Sequence, residues 1–470
     1  MRLGIDLGTG SVKAALVDDD GVVLAKASRA YAVDAPRPGW AESDPAAWLA
    51  GAREVVAEVL ATTSQRPTSA GFSGQMHGVV VTDADYAPLR PAILWADGRS
   101  VEQARALARD LTQDELSRLG SPAVTGFAAT SLAWLLEHEP EVMARAVHVL
   151  QPKDWLRVAL GGDVATDPSD ASGTLLYDVV SGEWSERALA WVGLQASLLA
   201  PVRGSADPAG VLTLPGLDAP LPCVVGAADT ACALAGLGLG ADDGFVAVGS
   251  GAQVVRLMSS PSLDGTLRTH TFATAGMPGD GWYRIGAVQS SGLSLTAALS
   301  WFGATVEEAA AALAHGVKAD DPIFVPYLSG ERTPFMDPEL RGSWHGMSLS
   351  TDRDAMLRSV LEGVAQAVAL GVEAVQDSGD PMPAVVPLVG GGTHDPAFRQ
   401  LLADATGLTL AVTDAPDSAV VGAALLAAGL TSNPRSASRA SVVVPRPEAV
   451  DLLARRRGMM VRVATAGEGT

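Results

Sequence analysis

Apolar residues alternate at Leu3, Ile5 and Leu7, break at Gly8-Thr9-Gly10, and resume as Val12 and Ala14-Ala15-Leu16-Val17. Period-two alternation on both sides of a glycine turn predicts two strands joined as a hairpin. The pattern recurs in "GFVAVGSGAQVVRLM" (244–258), where Val248-Gly249-Ser250-Gly251 lines up with Leu7-Gly8-Thr9-Gly10. Each following strand carries a cation, Lys13 or Arg256. Internal similarity of this kind predicts two like units. The expected division is 1–242, 243–440 and a tail, 441–470, that is helical in part. Two ordinary hairpins would show the same glycine turns.

Elsewhere the period lengthens. "AAWLAGAREVVAEVLAT" (46–62) and "AMLRSVLEGVAQAVALGVEAVQ" (355–376) carry apolar residues at helical spacing. "SAGFSGQMHGVVVTD" (69–83) reads as strand, loop, strand. "AVVPLVGGG" (384–392) is a buried strand running into three glycines, followed by a helix with Pro396 at its start. Alternating strands and helices predict a mixed α/β protein.

Composition narrows the function. The 470 residues suffice for two domains of about 200 residues each, and 48% hydrophobic with 18% charged residues describes a globular chain. A net charge of −20 argues against nucleic acid, which is bound by neutralising phosphates. It leaves room for a small anion gripped by backbone N–H groups. No apolar run is expected to reach the length of a membrane span, the nearest, Ala419–Leu430, being too short, and Asp6 interrupts any signal-peptide core. Two cysteines, Cys223 and Cys232, make neither a disulfide framework nor a metal motif. A cytoplasmic location is expected.

A glycine turn after a strand suggests a phosphate, yet the two commonest phosphate loops open a helix, and here a second strand follows. No Gly-Lys dipeptide occurs, so there is no Walker A loop, and Gly-x-Gly-x-x-Lys fails the dinucleotide fingerprint. Asp6, just before the turn, could orient magnesium against phosphates or cap the turn backbone. Asp229 stands where a strand passes into a helix. There it could accept a proton, but spacing alone favours a helix cap. Met76 and His77 sit in a loop between strands, where small-molecule contacts gather. Gly390-Gly391-Gly392 could admit a flat base or form a tight turn. Glu331 beside Arg332 reads as a structural ion pair, and Trp40, Trp95, Trp155 and Trp184 as packing.

Taken together, "GIDLGTGSVKAALVD", "SGQMHGVV", "PAILWADGRS", "PKDWLR", "SDASGTLLYDV", "GAADTACALAGLGLG", "YLSGERTPF" and "GGGTHDPAFRQLLADATG" resemble the FGGY carbohydrate kinases, and most closely their xylulokinase branch. The blocks keep the family's order over about residues 1–430. The resemblance implies two ribonuclease-H-like domains of the actin/sugar-kinase superfamily flanking a catalytic cleft, with phosphates resting against β-hairpin turns. It implies ATP and Mg2+ as cofactors and a sugar, D-xylulose, as partner, with no nucleic acid or membrane; a homodimer is compatible with it. Asp229 would be the general base. Met76, His77, Asp229 and Thr230 would contact the sugar, and Asp6 would help hold the metal. Gly8, Thr9, Gly10 and Lys13, with Gly249, Ser250 and Gly251, would line the triphosphate. Gly391, Gly392 and Thr393 would lie near the adenosine.

Three positions depart from the branch's pattern: Ala96 where Asn is usual, Ser131 where Lys is frequent, and Thr230 where Asn or Gln is frequent. The alternatives are a kinase for another ketose, polyol or sugar acid, and an actin- or chaperone-like ATPase that ignores sugars.

Overall fold

The computed structural model describes residues 1–314, 316–415, 417–433 and 439–465. The opening hairpin forms as its alternation requires. Arg2–Leu7 and Ser11–Val17 pair antiparallel, with Asp6 opposite Lys13 and Leu7 opposite Val12. Val23–Ala30 pairs antiparallel with the second strand, while Ala70–Gly74 lies parallel to the first and sets Ser73 beside Asp6. Leu221–Val224 and Ala227–Ala228 pair in parallel with Ala70–Gly74, and Pro208–Leu212 closes the edge.

The second sheet repeats this plan. Gly244–Val248 and Ala252–Met258 form the hairpin, and Trp282–Val288 flanks it antiparallel. Val385–Val389 and Thr409–Thr413 extend it in parallel from the first strand. His270–Ala273 and Arg439–Val443 are the edges. The final strand crosses residue 440, so the segment expected as a separate tail begins inside this sheet. The tail's helix, Pro447–Thr465, packs into the same core through Leu453 and Met460.

The repeat is real in topology but not residue for residue. Four residues separate Leu7 from Val12, and three separate Val248 from Ala252. Arg256 pairs with Gly244 at the far end of its hairpin and donates to the carbonyls of Asp243, Leu257 and Pro381. It is therefore no counterpart of Lys13, which lies near its turn.

The second core is built on the 25-residue helix Arg353–Asp377. Contrary to the expectation that no apolar run is long enough, this helix could cross a membrane by length and composition, but its apolar stretch is wholly buried here. An all-round apolar helix in a core needs no lipid. Two further helices join the lobes. Asp229–Leu237 follows the last short strand of the first sheet, and Ser418–Leu426 follows Thr409–Thr413 of the second. They touch backbone to backbone: a Cβ on Gly422 would stand 1.9 Å from the Cys232 carbonyl oxygen, and one on Gly236 would stand 2.0 Å from that of Ser418. Ser418–Leu426 also lies on the first sheet, with Val420 against Ala15 and Val17.

Candidate active site

Three parallel segments end together. Asp6, Ser73 and Ala227 form a row across Arg2–Leu7, Ala70–Gly74 and Ala227–Ala228. The residues just beyond that row are the ones expected to act: Gly8–Gly10, Gln75–His77 and Asp229–Thr230. Carboxyl ends of parallel strands are where open α/β sheets hold ligands.

Asp6 is 8% exposed and accepts a 2.8 Å hydrogen bond from the Ser73 hydroxyl. Burial raises its pKa, against the pull of Ser73 and Lys13. Asp229 is the first residue of its helix; Ala228 holds the cap position and bonds nothing through its side chain. The Asp229 carboxylate accepts from the Thr230 N–H at 2.6 Å and the Thr230 hydroxyl at 3.1 Å, both at Oδ1. Burial, reinforced by the Asp6 charge, pushes its pKa up to about 6. A carboxylate tuned to that value is a better base near neutral pH than an ordinary one. The Thr230 hydroxyl is committed to this carboxylate.

His77 adopts φ 72° and stacks on Phe127 with ring centroids 3.9 Å apart. Its Nδ1 lies 2.6 Å from the Gly173 carbonyl oxygen. A carbonyl only accepts, so Nδ1 carries the proton and Nε2 presents a lone pair. Burial lowers the His77 pKa to about 3, which keeps the ring neutral. Met76 is buried against Tyr283, whose hydroxyl donates to its sulfur at 3.6 Å. Gly173 follows a short helix, Pro168–Ser172, that is anchored by ions. Lys153 Nζ lies 2.7 Å from Asp154, 3.1 Å from Asp167 and 3.0 Å from Asp170, all fully buried. The "PKDWLR" and "SDASG" segments thus meet beneath the histidine.

The first glycine turn is braced: the Tyr31 hydroxyl donates to the Gly8 carbonyl, and Trp95 Nε1 donates to Thr9 Oγ1 at 2.8 Å. Lys13 Nζ has no ion pair or hydrogen bond among the described residues, and its charge reaches Asp6. The second turn faces a cavity of about 640 Å³ lined by Gly249–Gly251, Gln289, Gly390 and Arg332 from one lobe and by Trp95 and Ala96 from the other. Trp95 therefore spans the cleft rather than serving only as packing. Gly391 and Gly392 are exposed just beyond Gly390, while the Thr393 hydroxyl turns back to donate to the Gly390 carbonyl at 2.7 Å.

The expected ion pair is absent. Glu331 accepts from the backbone N–H groups of Gln289, Ser290 and Arg332 at 2.6, 3.1 and 2.8 Å, and no ion pair links it to the Arg332 guanidinium among the described residues. Sequence reasoning also missed His270, buried 2.7 Å from the Ser121 hydroxyl and held neutral by burial at a pKa of about 3. A buried-strand pattern bearing a histidine was the available signal.

Comparison with known proteins gives the chain a family. The profile for the FGGY family of carbohydrate kinases, N-terminal domain, matches residues 1–236, and that for the family's C-terminal domain matches 271–430. The xylulose kinase of Escherichia coli K12 is 33% identical over 439 residues, covering 92% of this chain and 89% of that protein. A crystal structure of a xyloylose kinase from Brucella ovis superposes with a TM-score of 0.91 at 30% identity, over 99% of both chains. The gluconate kinase of Lactobacillus acidophilus reaches 0.93 at 21% identity, over 100% of this chain and 98% of its own, which shows a shared fold alone. Both halves of the chain match, in order and nearly end to end: it belongs to the FGGY family of carbohydrate kinases.

Proposed function

We propose that the protein transfers the γ-phosphoryl group of ATP to the terminal hydroxyl of D-xylulose, giving D-xylulose 5-phosphate. The observation that carries this reading is the convergence of Asp229, its pKa near 6, with neutral His77 and Asp6 at the ends of three parallel segments. His77 Nε2 accepts a hydrogen bond from a sugar hydroxyl and, being unable to donate, fixes which way that hydroxyl points. Asp229 takes the proton of the attacking hydroxyl through Oδ2, since Oδ1 is held by Thr230. The sugar oxygen forms its bond to the γ-phosphorus as the bond to the β-phosphate bridge breaks, and ADP leaves. The glycine turns at 8–10 and 249–251 offer backbone N–H groups to the phosphates, with Lys13 adding charge. Gly391, Gly392 and the backbone of Thr393 border the adenosine.

A magnesium ion fits this donor set. Asp6 and Asp229 are close enough that one raises the other's pKa, and Asp6 engages Ser73 through Oδ1 only. Mg2+ is held through one or two carboxylates with water and phosphate oxygens, so Asp6 is the residue that would hold it. When bound it supplies neutralisation of the phosphates.

A coupled ADP-release assay over D-xylulose, D-ribulose, glycerol, xylitol and D-gluconate tests the assignment. D-xylulose is expected to give the highest kcat/KM. A better response to another acceptor overturns the substrate, and ATP turnover indifferent to every sugar overturns the kinase reading.

A further inference from the structure

The buried arginines of this chain have carboxylates: Arg157 has Asp154, Arg284 has Asp380, Arg358 has Asp321 and Arg456 has Glu362. Arg332 has none. Its guanidinium makes no ion pair and donates no hydrogen bond among the described residues, although it is partly buried and lines the cavity between the lobes. It lies 5.3 Å from the centroid of the Trp95 ring, whose N–H reaches Thr9 of the first glycine turn. The same cavity is walled by Gly249–Gly251, the second turn. The guanidinium thus shares a cavity with the second bend, lies one indole away from the first, and its charge also reaches His77 and His270.

Its loop is not free to turn away. Glu331 and Asp337 exchange backbone hydrogen bonds of 2.9 Å, and the Thr333 N–H donates to the Ala287 carbonyl at 2.9 Å. Glu331 also clamps the N–H groups of Gln289 and Ser290, and the following Gly292 N–H donates to the Gly249 carbonyl at 3.0 Å. One carboxylate therefore ties the second turn to the backbone of Arg332 and leaves the guanidinium facing the cavity without a hydrogen-bond partner among the described residues.

We propose that Arg332 binds the γ-phosphoryl group of the nucleotide through its guanidinium, completing from the second lobe a phosphate site that the glycine turns alone leave short of charge. A planar fork of donors matches two phosphoryl oxygens at once. The need for a cation is local: Asp6 and Asp229 both present negative charge where a polyanion must arrive. Burial lowers the pKa of the guanidinium more than the neighbouring Glu331 charge raises it. This inference rests on the phosphoryl-transfer reading but not on which sugar accepts. A carboxylate on the acceptor is the other anion the same fork could take, and the test separates the two.

The experiment is calorimetric binding of ADP and of a non-hydrolysable ATP analogue, without sugar, to the full-length wild type, Arg332→Met and Arg332→Lys. Loss of a charged hydrogen-bond pair is expected to weaken the analogue about 10–100-fold in Arg332→Met while ADP changes less than about threefold. Arg332→Lys, a point charge without the fork, is expected to recover part of the loss. Kinetics with the best acceptor should then show kcat falling and the acceptor KM nearly unchanged. Equal weakening of ADP and analogue would mean a structural role, and no weakening of either would mean no contact; each overturns the proposal. A raised acceptor KM with unaltered analogue binding assigns the fork to the acceptor and overturns it too. Absence of sugar kinase activity in the wild type would sink the proposed function while leaving the nucleotide comparison readable.

Discussion

The two glycine turns arise from one topological plan and have been furnished differently. The first carries Asp6 two residues before its opening glycine and Lys13 opposite that carboxylate, and is braced by Tyr31 and Trp95. At the matching places the second has Ala247 and, opposite it across a turn one residue tighter, Gln253. Its charge comes from elsewhere, through the loop of Glu331 and Arg332. In the proposed reading, the groups that handle a proton or a metal lie on the first sheet or just beyond its strand ends, and the second lobe supplies backbone amides and one guanidinium. The difference teaches that one hairpin plan can carry quite different side chains around its turn; on the proposed reading the turn itself is the generic phosphate rest and those side chains add the chemistry.

The most severe way to test this division is Asp229→Asn, which removes the base but keeps its shape. Turnover is expected to fall roughly 10²–10⁴-fold while calorimetric ATP affinity stays close to wild type. The same substitution should stabilise the fold. Burial raises the folded pKa from 3.8 to about 6, so the carboxylate binds its proton more tightly folded than unfolded. Its ionisation therefore carries a cost to stability that is fully present above about pH 6 and absent below the unfolded pKa. Asparagine is expected to gain about 1–3 kcal/mol in denaturant unfolding at pH 7 and nothing near pH 3.

Asp6→Asn should cost on the order of 10²-fold in kcat and weaken the dependence on magnesium, if a carboxylate bound to the ion's shell is what it supplies. It should also move the acid limb of the kcat/KM profile to lower pH, because the Asp6 charge helps to raise the Asp229 pKa. A stationary limb near pH 6 would separate the two carboxylates. His77, neutral down to about pH 3, adds no second limb.

Ala247→Asp sharpens the comparison from the other side by giving the second turn the acid it lacks. Repulsion of phosphates in the cleft is expected to raise the Kd for ATP by roughly tenfold, measured calorimetrically with magnesium held constant. Trp95→Phe makes the smallest change. Loss of the indole N–H to Thr9 removes about 1 kcal/mol, a few-fold in the KM for ATP, with kcat nearly intact.

Much of this was legible in the sequence. Strand alternation around 3–17 and 244–258 located both turns, because a half-buried hairpin imposes a period of two. The family blocks brought Asp6, Met76, His77 and Asp229 into one account before any geometry. What stayed hidden was pairing. Adjacent Glu331 and Arg332 read as an ion pair, yet their side chains serve different partners, since neighbours in a loop do not point the same way. Lys13 and Arg256 looked equivalent until strand register put one near a turn and the other at the opposite end. Trp95 bridges two lobes, and Lys153 gathers three aspartates from two segments. Such contacts are long-range, and no local period records them.

The glycines at 236 and 422 carry a mechanical consequence. Two backbones touch there without side chains between them, and Ser418–Leu426 lies equally close to the first sheet at Gly4 and Gly71, so any rotation of one lobe against the other would pivot at this helix. Asp229 begins the helix that meets it, so under the proposed roles such a swing would displace the proton acceptor little and would carry Arg332 and the second turn toward it.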